Sequence, residues 1–268
     1  MKFTAAAIQM IASDDKAANL AEATRWIGQA AAAGAKLVAL PEVFIWRGDK
    51  RSERAAAEPV PGPASTAMAG LARELGIYLL AGSILEEIPG SPKAFNTSLL
   101  FDPSGKLIAT YRKIHLFDVD LANKVAARES DTRMSGETVV VAETELCKMG
   151  LSVCYDLRFA ELYRQLSHRQ ADLIFVPSAF TAYTGKAHWE PLLRARAIEN
   201  QVYVVAPNQF GKNPQSFETH GHSMIVDPWG EICSVLTDGA GFITAEVDLD
   251  YLGQLRRELP CLSHRRLS

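Results

Sequence analysis

Glu42, Lys113 and Cys154 each stand at the end of an apolar run, in the segments Leu40-Pro41-Glu42-Val43-Phe44, Tyr111-Arg112-Lys113-Ile114-His115 and Val153-Cys154-Tyr155-Asp156-Leu157-Arg158-Phe159. A carboxylate, an ammonium and a thiol are the parts of a cysteine amidase. A thiol attacks as its thiolate, so a base must take the proton, and the oxyanion formed from an amide carbonyl needs a fixed positive donor. These three residues can fill those roles.

The elements that must position them alternate along the chain. Phe3–Ile8 reads as a strand, Ser13 as the N-cap of a helix turning Leu20, Ile27 and Ala31 inward, and Gly34 as its left-handed end, before a strand over Lys36–Leu40. Met149–Val153 is a short buried strand, and Phe159, Leu162, Tyr163 and Leu166 recur at helical spacing beyond it, so Cys154 falls at a strand-to-helix junction. A helix N-terminus there favours thiolate, and open α/β sheets gather their sites at the carboxyl ends of strands. Further strands are predicted at Ile77–Ser83, Asn96–Phe101, Leu107–Tyr111, Thr138–Ala142, Asp172–Val176, Val202–Ala206, Ser223–Val226 and Phe242–Val247, with helices around Ala64–Leu75 and His188–Asn200. Asp102-Pro103-Ser104-Gly105 and Asp227-Pro228-Trp229-Gly230 have the order of hairpin β-turns. Hairpins mixed with β-α units predict mixed sheets, and apolar helix faces predict layers stacked on them. Polar stretches at Lys50–Pro63 and Asp118–Gly136 read as surface loops of a length that often borders a site.

Composition bounds the rest. At 268 residues and 48% hydrophobic, the chain is expected to form one α/β domain over its whole length. A net charge of -3 with dispersed Lys and Arg gives no footprint for nucleic acid or anionic membrane. The chain shows no signal-like start and no apolar run long enough to span a bilayer, so a cytoplasmic protein is expected. Cys147, Cys154, Cys233 and Cys261 lack C-x-x-C spacing and disulfide density, which fits a reducing compartment, and most of them are expected to be plain core thiols.

The three segments resemble those of the nitrilase superfamily of carbon–nitrogen hydrolases, and the likeness runs from Phe3 to Arg266. In that family a glutamate follows an apolar strand and proline, a lysine sits in a Tyr-Arg-Lys-x-His-Leu-like segment, and a cysteine opens Cys-Tyr-Asp-x-Arg-Phe. The resemblance implies a four-layer αββα sandwich with two mixed sheets, usually paired as a homodimer or assembled into a higher homo-oligomer. It implies Glu42 as general base, Lys113 as oxyanion stabiliser and Cys154 as a nucleophile forming a thioester. It places Glu129 where related amidases carry a second glutamate that positions the lysine or the substrate. No cofactor and no metal are expected.

Pro177-Ser178-Ala179-Phe180-Thr181 and the segments from Thr184 to Gln201 resemble two amidase branches, one acting on deaminated glutathione and the other, ω-amidase, on α-ketoglutaramate. Gly221–Gly230 and Gln254–Pro260 lean toward the first, with ammonia as the expected released product. Both substrates are small anionic α-keto amides, so a cation is required, and Arg158 is the chosen anchor, with Tyr155, Phe180 and Thr184 lining the pocket. Nitrilase or N-carbamoyl hydrolase activity and an inactive amidase-like interaction domain are the alternatives. His168, His188, His220 and His222 raise a Cys-His protease, but none lies in a papain or caspase signature. His220-Gly221-His222 lacks further metal-spaced ligands, and the cysteine segment is not a Gly-x-nucleophile-x-Gly elbow.

Overall fold

Strand Lys2–Gln9 shows why two layers of core are needed. Its side chains alternate between faces, and both faces are apolar: Phe3, Ala5 and Ala7 enter one core while Ala6 and Ile8 enter another. The computed structural model describes residues 1–121, 125–213 and 216–267. In it Lys2–Gln9 pairs antiparallel with Gly241–Asp248 and parallel with Leu37–Ala39. Tyr78–Leu80, Ala94–Phe101 and Ile84–Glu87 continue that sheet, and Leu107–Arg112 and Arg133–Met134 also pair with Ala94–Phe101. The second sheet runs Val141–Glu143, Lys148–Leu151, Leu173–Phe175, Tyr203–Ala206, Ser223–Val226 and Ile232–Leu236. Each contains parallel and antiparallel pairs, so both are mixed as expected.

The first core lies between the sheets and beneath the helices of the second one, joining Ala5, Leu37 and Leu80 to Leu151, Phe175, Trp189 and Leu193. Helices Ala160–His168 and Ala182–Asn200 cover that side. On the other side, helix Lys16–Ala32 buries Ala23, Ile27 and Ala30, and helix Pro63–Leu75 buries Ala64, Met68 and Ala72, at the three- and four-residue steps of a helix face. Side chains such as Ile27 and Leu193 each stabilise the fold by roughly 1.5–3 kcal/mol on burial. The layers are αββα.

Several boundaries differ from expectation for local reasons. Asp15, not Ser13, caps the first helix, accepting from Ala18 N at 3.0 Å, while the Ser13 hydroxyl accepts from Asp15 N. The inward place expected for Leu20 goes to Asn19, whose amide bonds the Ser13 and Ile45 carbonyls; Leu20 and Ala31 are half-buried. Gly34 does end the helix, at φ +91. Both proline turns close, Gly105 N on Asp102 O and Gly230 N on Asp227 O. Residues 50–63 are more than a surface loop, since short helix Glu53–Ala56 tucks Glu53 and Ala56 inward. Within 118–136, Asp118–Leu121 pairs with Val125–Arg128 and the chain continues into the 3₁₀ turn Glu129–Asp131 and strand Arg133–Met134, while residues 122–124 of that expected loop lie outside the described residues. Helix Leu249–Glu258 and strand Ile84–Glu87 escaped the periodicity reading, being short and polar-rich. Among the described residues no helix is long and apolar enough to cross a membrane.

Candidate active site

Glu42 lies three residues past strand Leu37–Ala39, whose parallel neighbours fix the direction in which the chain leaves the sheet. The turn there is tight. A Cβ on Gly82 would come within 1.9 Å of Pro41 O, so only glycine lets the two segments approach, and the next residue, Val43, adopts φ +47. Gln209 donates to Glu42 O at 2.7 Å and Ser83 Oγ accepts from Val43 N, which pins the bend.

Cys154 follows strand Lys148–Leu151, also at a carboxyl end, and also bends through a left-handed residue: its own φ is +49. Such strain persists only where neighbours over-determine it. Here the determinant is Asp156, fully buried, which accepts from Val153 N, Tyr111 Oη and His115 N at 2.7–3.0 Å and contacts His115 Nδ1 at 2.7 Å. The thiol opens a single 3₁₀ turn, Cys154–Arg158, rather than the α-helix itself, which starts at Ala160.

Lys113 directly follows strand Leu107–Arg112; its N–H donates to Asn96 O and its carbonyl accepts from Gly136 N. Its ammonium, 2% exposed, is 2.9 Å from Glu42 Oε1 and 2.9 Å from Glu129 Oε2. Glu42 Oε1 also accepts from Asn96 Nδ2 at 2.8 Å, and Glu42 Oε2 from Ala179 N at 2.8 Å. Glu129 is held by Phe117 N and by Arg133, and Arg133 in turn by Glu53. The result is a buried chain of alternating charge, Glu42–Lys113–Glu129–Arg133–Glu53.

That chain sets the ionisation states. Burial works against the Lys113 ammonium, but the Glu129 and Glu42 carboxylates overcome it and raise its pKa. Burial works against the Glu129 carboxylate too, yet Lys113 and Arg133 hold it down at about 2. The Cys154 thiol is pushed well above its ordinary range, by burial first and the Glu42 charge second, with only partial relief from Lys113. Burial and the Glu42 charge together favour the protonated sulfur at rest.

All eight sequence-predicted residues, Glu42, Lys113, Glu129, Cys154, Tyr155, Arg158, Phe180 and Thr184, line one cavity of about 740 Å³. Arg158 sits with its guanidinium carbon 5.2 Å from the Phe180 ring centre and 5.8 Å from that of Tyr155, its Nη1 3.1 Å from His188 Nδ1. Thr184 shares its hydroxyl with Thr181 Oγ1 at 2.6 Å at the start of helix Ala182–Asn200. No histidine is among the described residues lining the cavity. His220 and His222 stack on each other at 4.2 Å, and burial lowers the His220 pKa to about 4. Among the described residues no three His, Cys, Asp or Glu side chains form a group that could hold a metal ion. The other cysteines lie away from the cavity: Cys147 is buried, whereas Cys233 and Cys261 are exposed rather than core thiols.

Sequence reading missed Asn96, Arg133, Glu53, Asp156 and Arg47 as parts of this site. One signal was present: Asn96-Thr97-Ser98 interrupts an apolar strand, and all three are fully buried. Polar residues in such a place call for partners: Asn96 Nδ2 donates to Glu42 and Thr97 Oγ1 to Glu86, whereas Ser98 Oγ has none among the described residues. For Arg47 no local signal exists, since it arrives from a loop, and Arg133 stands on a two-residue strand too short for periodicity to register.

The carbon–nitrogen hydrolase family model matches residues 4–257. The chain is 42% identical to omega-amidase NIT2 of Xenopus tropicalis, over 99% of this chain and 95% of that protein. It is also 42% identical to a deaminated glutathione amidase of Synechocystis, over 98% of each. The C. elegans NitFhit structure superposes with a TM-score of 0.92 at 38% identity, covering 99% of this chain, which spans 65% of that longer one. With its αββα layers and a carboxylate, ammonium and thiol meeting at the strand ends, the chain belongs to the carbon–nitrogen hydrolase family and is an enzyme of that class.

Proposed function

We propose that the protein is a thiol amidase that opens the amide of a small α-keto acid through a Cys154 thioester. The convergence of Glu42, Lys113 and Cys154 on one cavity carries this reading. Because the thiol rests protonated, its proton passes to Glu42 as sulfur attacks the amide carbon. The Lys113 ammonium has three N–H donors, of which Glu42 and Glu129 take two. The third is available to the carbonyl oxygen, whose negative charge grows as the C–S bond forms. Glu42 then returns the proton to the leaving nitrogen as the C–N bond breaks. A water, deprotonated by Glu42, attacks the thioester carbon; the acid departs, and the thiolate recovers its proton. Glu129, anchored by Arg133 and Phe117 N, holds the lysine in place.

For the substrate, Arg158 is the cation for the α-keto carboxylate, and Tyr155, Phe180 and Thr184 form the surrounding wall. Deaminated glutathione is the preferred substrate and α-ketoglutaramate the second. The size of the cavity supports that order, since it holds far more than a five-carbon keto amide. Their products differ. α-Ketoglutaramate releases ammonia, but the amide of deaminated glutathione is N-substituted and releases cysteinylglycine, so the expectation of ammonia applies to α-ketoglutaramate alone. Measuring both products with both substrates, beside nitriles and N-carbamoyl amino acids, tests the reading. A higher kcat/KM for α-ketoglutaramate reverses the order, and turnover of neither keto amide removes it. Pairing into a homodimer is part of the same proposal, supported by exposed Ile198, Trp229, Ile232 and Val235; sedimentation at a monomer mass would remove that part.

A further inference from the structure

Arg47 is the buried cation of the cavity that lacks a carboxylate. Lys113 is flanked by Glu42 and Glu129, and Arg133 by Glu53 and Glu129, whereas Arg47, 6% exposed, forms no ion pair with a described residue. Its Nη2 donates to Phe217 O at 2.6 Å and to Ser216 Oγ at 3.2 Å, and the guanidinium lies 4.8 Å from the Phe217 ring centre. Its Nη1 is buried with no hydrogen-bond partner among the described residues. A buried guanidinium edge left bare is costly, and burial pulls this group down to about 10 even against the attraction of Glu42. The arrangement makes sense if an anion arrives from outside the chain.

The position of that anion follows from the neighbours. Rings Tyr155, Phe117 and Phe217 form a run along the cavity, with centroids 5.0 Å and 6.3 Å apart. Arg158 stands over the Tyr155 end and Arg47 over the Phe217 end. Five residues before Arg47 comes Glu42, whose charge acts on it more strongly than any other. In the amidase mechanism above, Glu42 delivers the proton to the departing nitrogen, so the amine half of the substrate must lie on Glu42's side. Arg158 is then left to the acyl half.

Resting on that amidase reading, we propose that Arg47 forms a second anion subsite on the leaving-group side, selecting amides whose amine portion carries a carboxylate, as an amino acid or peptide does. The carboxylate accepts from Nη1, while Phe217 O and Ser216 hold the opposite edge of the guanidinium still. A primary amide fills the acyl half and leaves this subsite unused.

Three amides of 2-oxoglutarate at its C5 carboxyl test the assignment: the primary amide, the glycine amide and the glycinamide amide. The last two differ only in the terminal charge, and all three give the same thioester. The wild-type enzyme is expected to favour the glycine over the glycinamide derivative by about tenfold or more in kcat/KM, chiefly through KM, the scale of a charge-assisted hydrogen bond. Arg47→Met should bring that ratio close to one, and Arg47→Lys should keep part of it. A wild-type ratio near one overturns the subsite whether or not any variant folds. So does an Arg47→Met enzyme that loses equally on both derivatives, which would make Arg47 a structural wall. Hydrolysis of none of the three overturns the amidase reading itself and the subsite with it.

Discussion

The cavity has two unlike walls. On one, Glu42, Lys113, Glu129, Arg133 and Glu53 alternate in charge, each within hydrogen-bonding distance of the next, and each is at least nine-tenths buried or nearly so. On the other, Arg47 and Arg158 stand over aromatic rings with no carboxylate beside them among the described residues. The first wall is complete without substrate. Its groups have fixed orientations before anything binds, which is what stabilisation of a developing charge requires. The second is complete only when an anion is present, which makes binding rather than chemistry its business. Losses on the first wall should therefore fall on kcat, and losses on the second on KM.

The sharpest break comes at the sulfur. Cys154→Ala removes the covalent path and should abolish turnover, while Tm stays within about 3 °C of the parent because only a small side chain is lost from a turn held by Asp156. Quantitative alkylation of Cys154 by iodoacetamide with full activity retained would remove the nucleophile from the mechanism.

Glu42→Gln separates two jobs of one carboxylate. Losing the base should lower kcat by about a hundredfold or more. The same charge, however, helps hold the thiol protonated, so its removal lowers the Cys154 pKa while Lys113 still attracts the thiolate. Iodoacetamide should thus label the variant faster than the parent at neutral pH. In the parent the labelling rate should go on climbing with pH past 9, because the thiol titrates above its ordinary value. A parent rate that levels off near pH 7 would mean a resting thiolate and a different mechanism. Lys113→Ala should cost a similar factor in kcat, and Tm as well, because Glu42 and Glu129 would then face each other unscreened.

The two walls also differ in how far the sequence discloses them. Glu42, Lys113 and Cys154 sit at the ends of apolar strands, where burial pattern and position locate a side chain, and the sheets that carry them follow from the same periodicity. Glu129 came only from likeness to relatives, since its segment is polar and lies between short strands. Arg47 and Phe217 are brought together from loops 170 residues apart, a pairing that no local pattern encodes. Asp156 was in plain view within the cysteine segment, but its role depends on Tyr111 and His115 from the other sheet's edge. Capping was misread for a related reason: Ser13 and Asp15 are both good N-caps by type, and the choice between them falls to Asn19, which bonds the Ser13 backbone and carries the helix start two residues on.

Arg158 gives the smallest of these effects and the cleanest test of the second wall. Its guanidinium lies over Phe180 and Tyr155 and hydrogen-bonds His188 Nδ1, with no ion pair to a described residue, so removing it strands no carboxylate among them. The fold should be indifferent. What is lost is a charge-assisted hydrogen bond to the substrate carboxylate, roughly 1.5–3 kcal/mol, which corresponds to about a ten- to hundredfold fall in kcat/KM for Arg158→Ala. Most of that fall should appear as a higher KM. Lysine should restore little, because a single ammonium cannot offer the planar fork that meets both carboxylate oxygens or stack flat between the two rings. A variant whose KM is unchanged while kcat drops would move Arg158 to the first wall, as a group acting on the reacting atoms. A variant indistinguishable from the parent would leave Arg47 as the cavity's anion-binding cation.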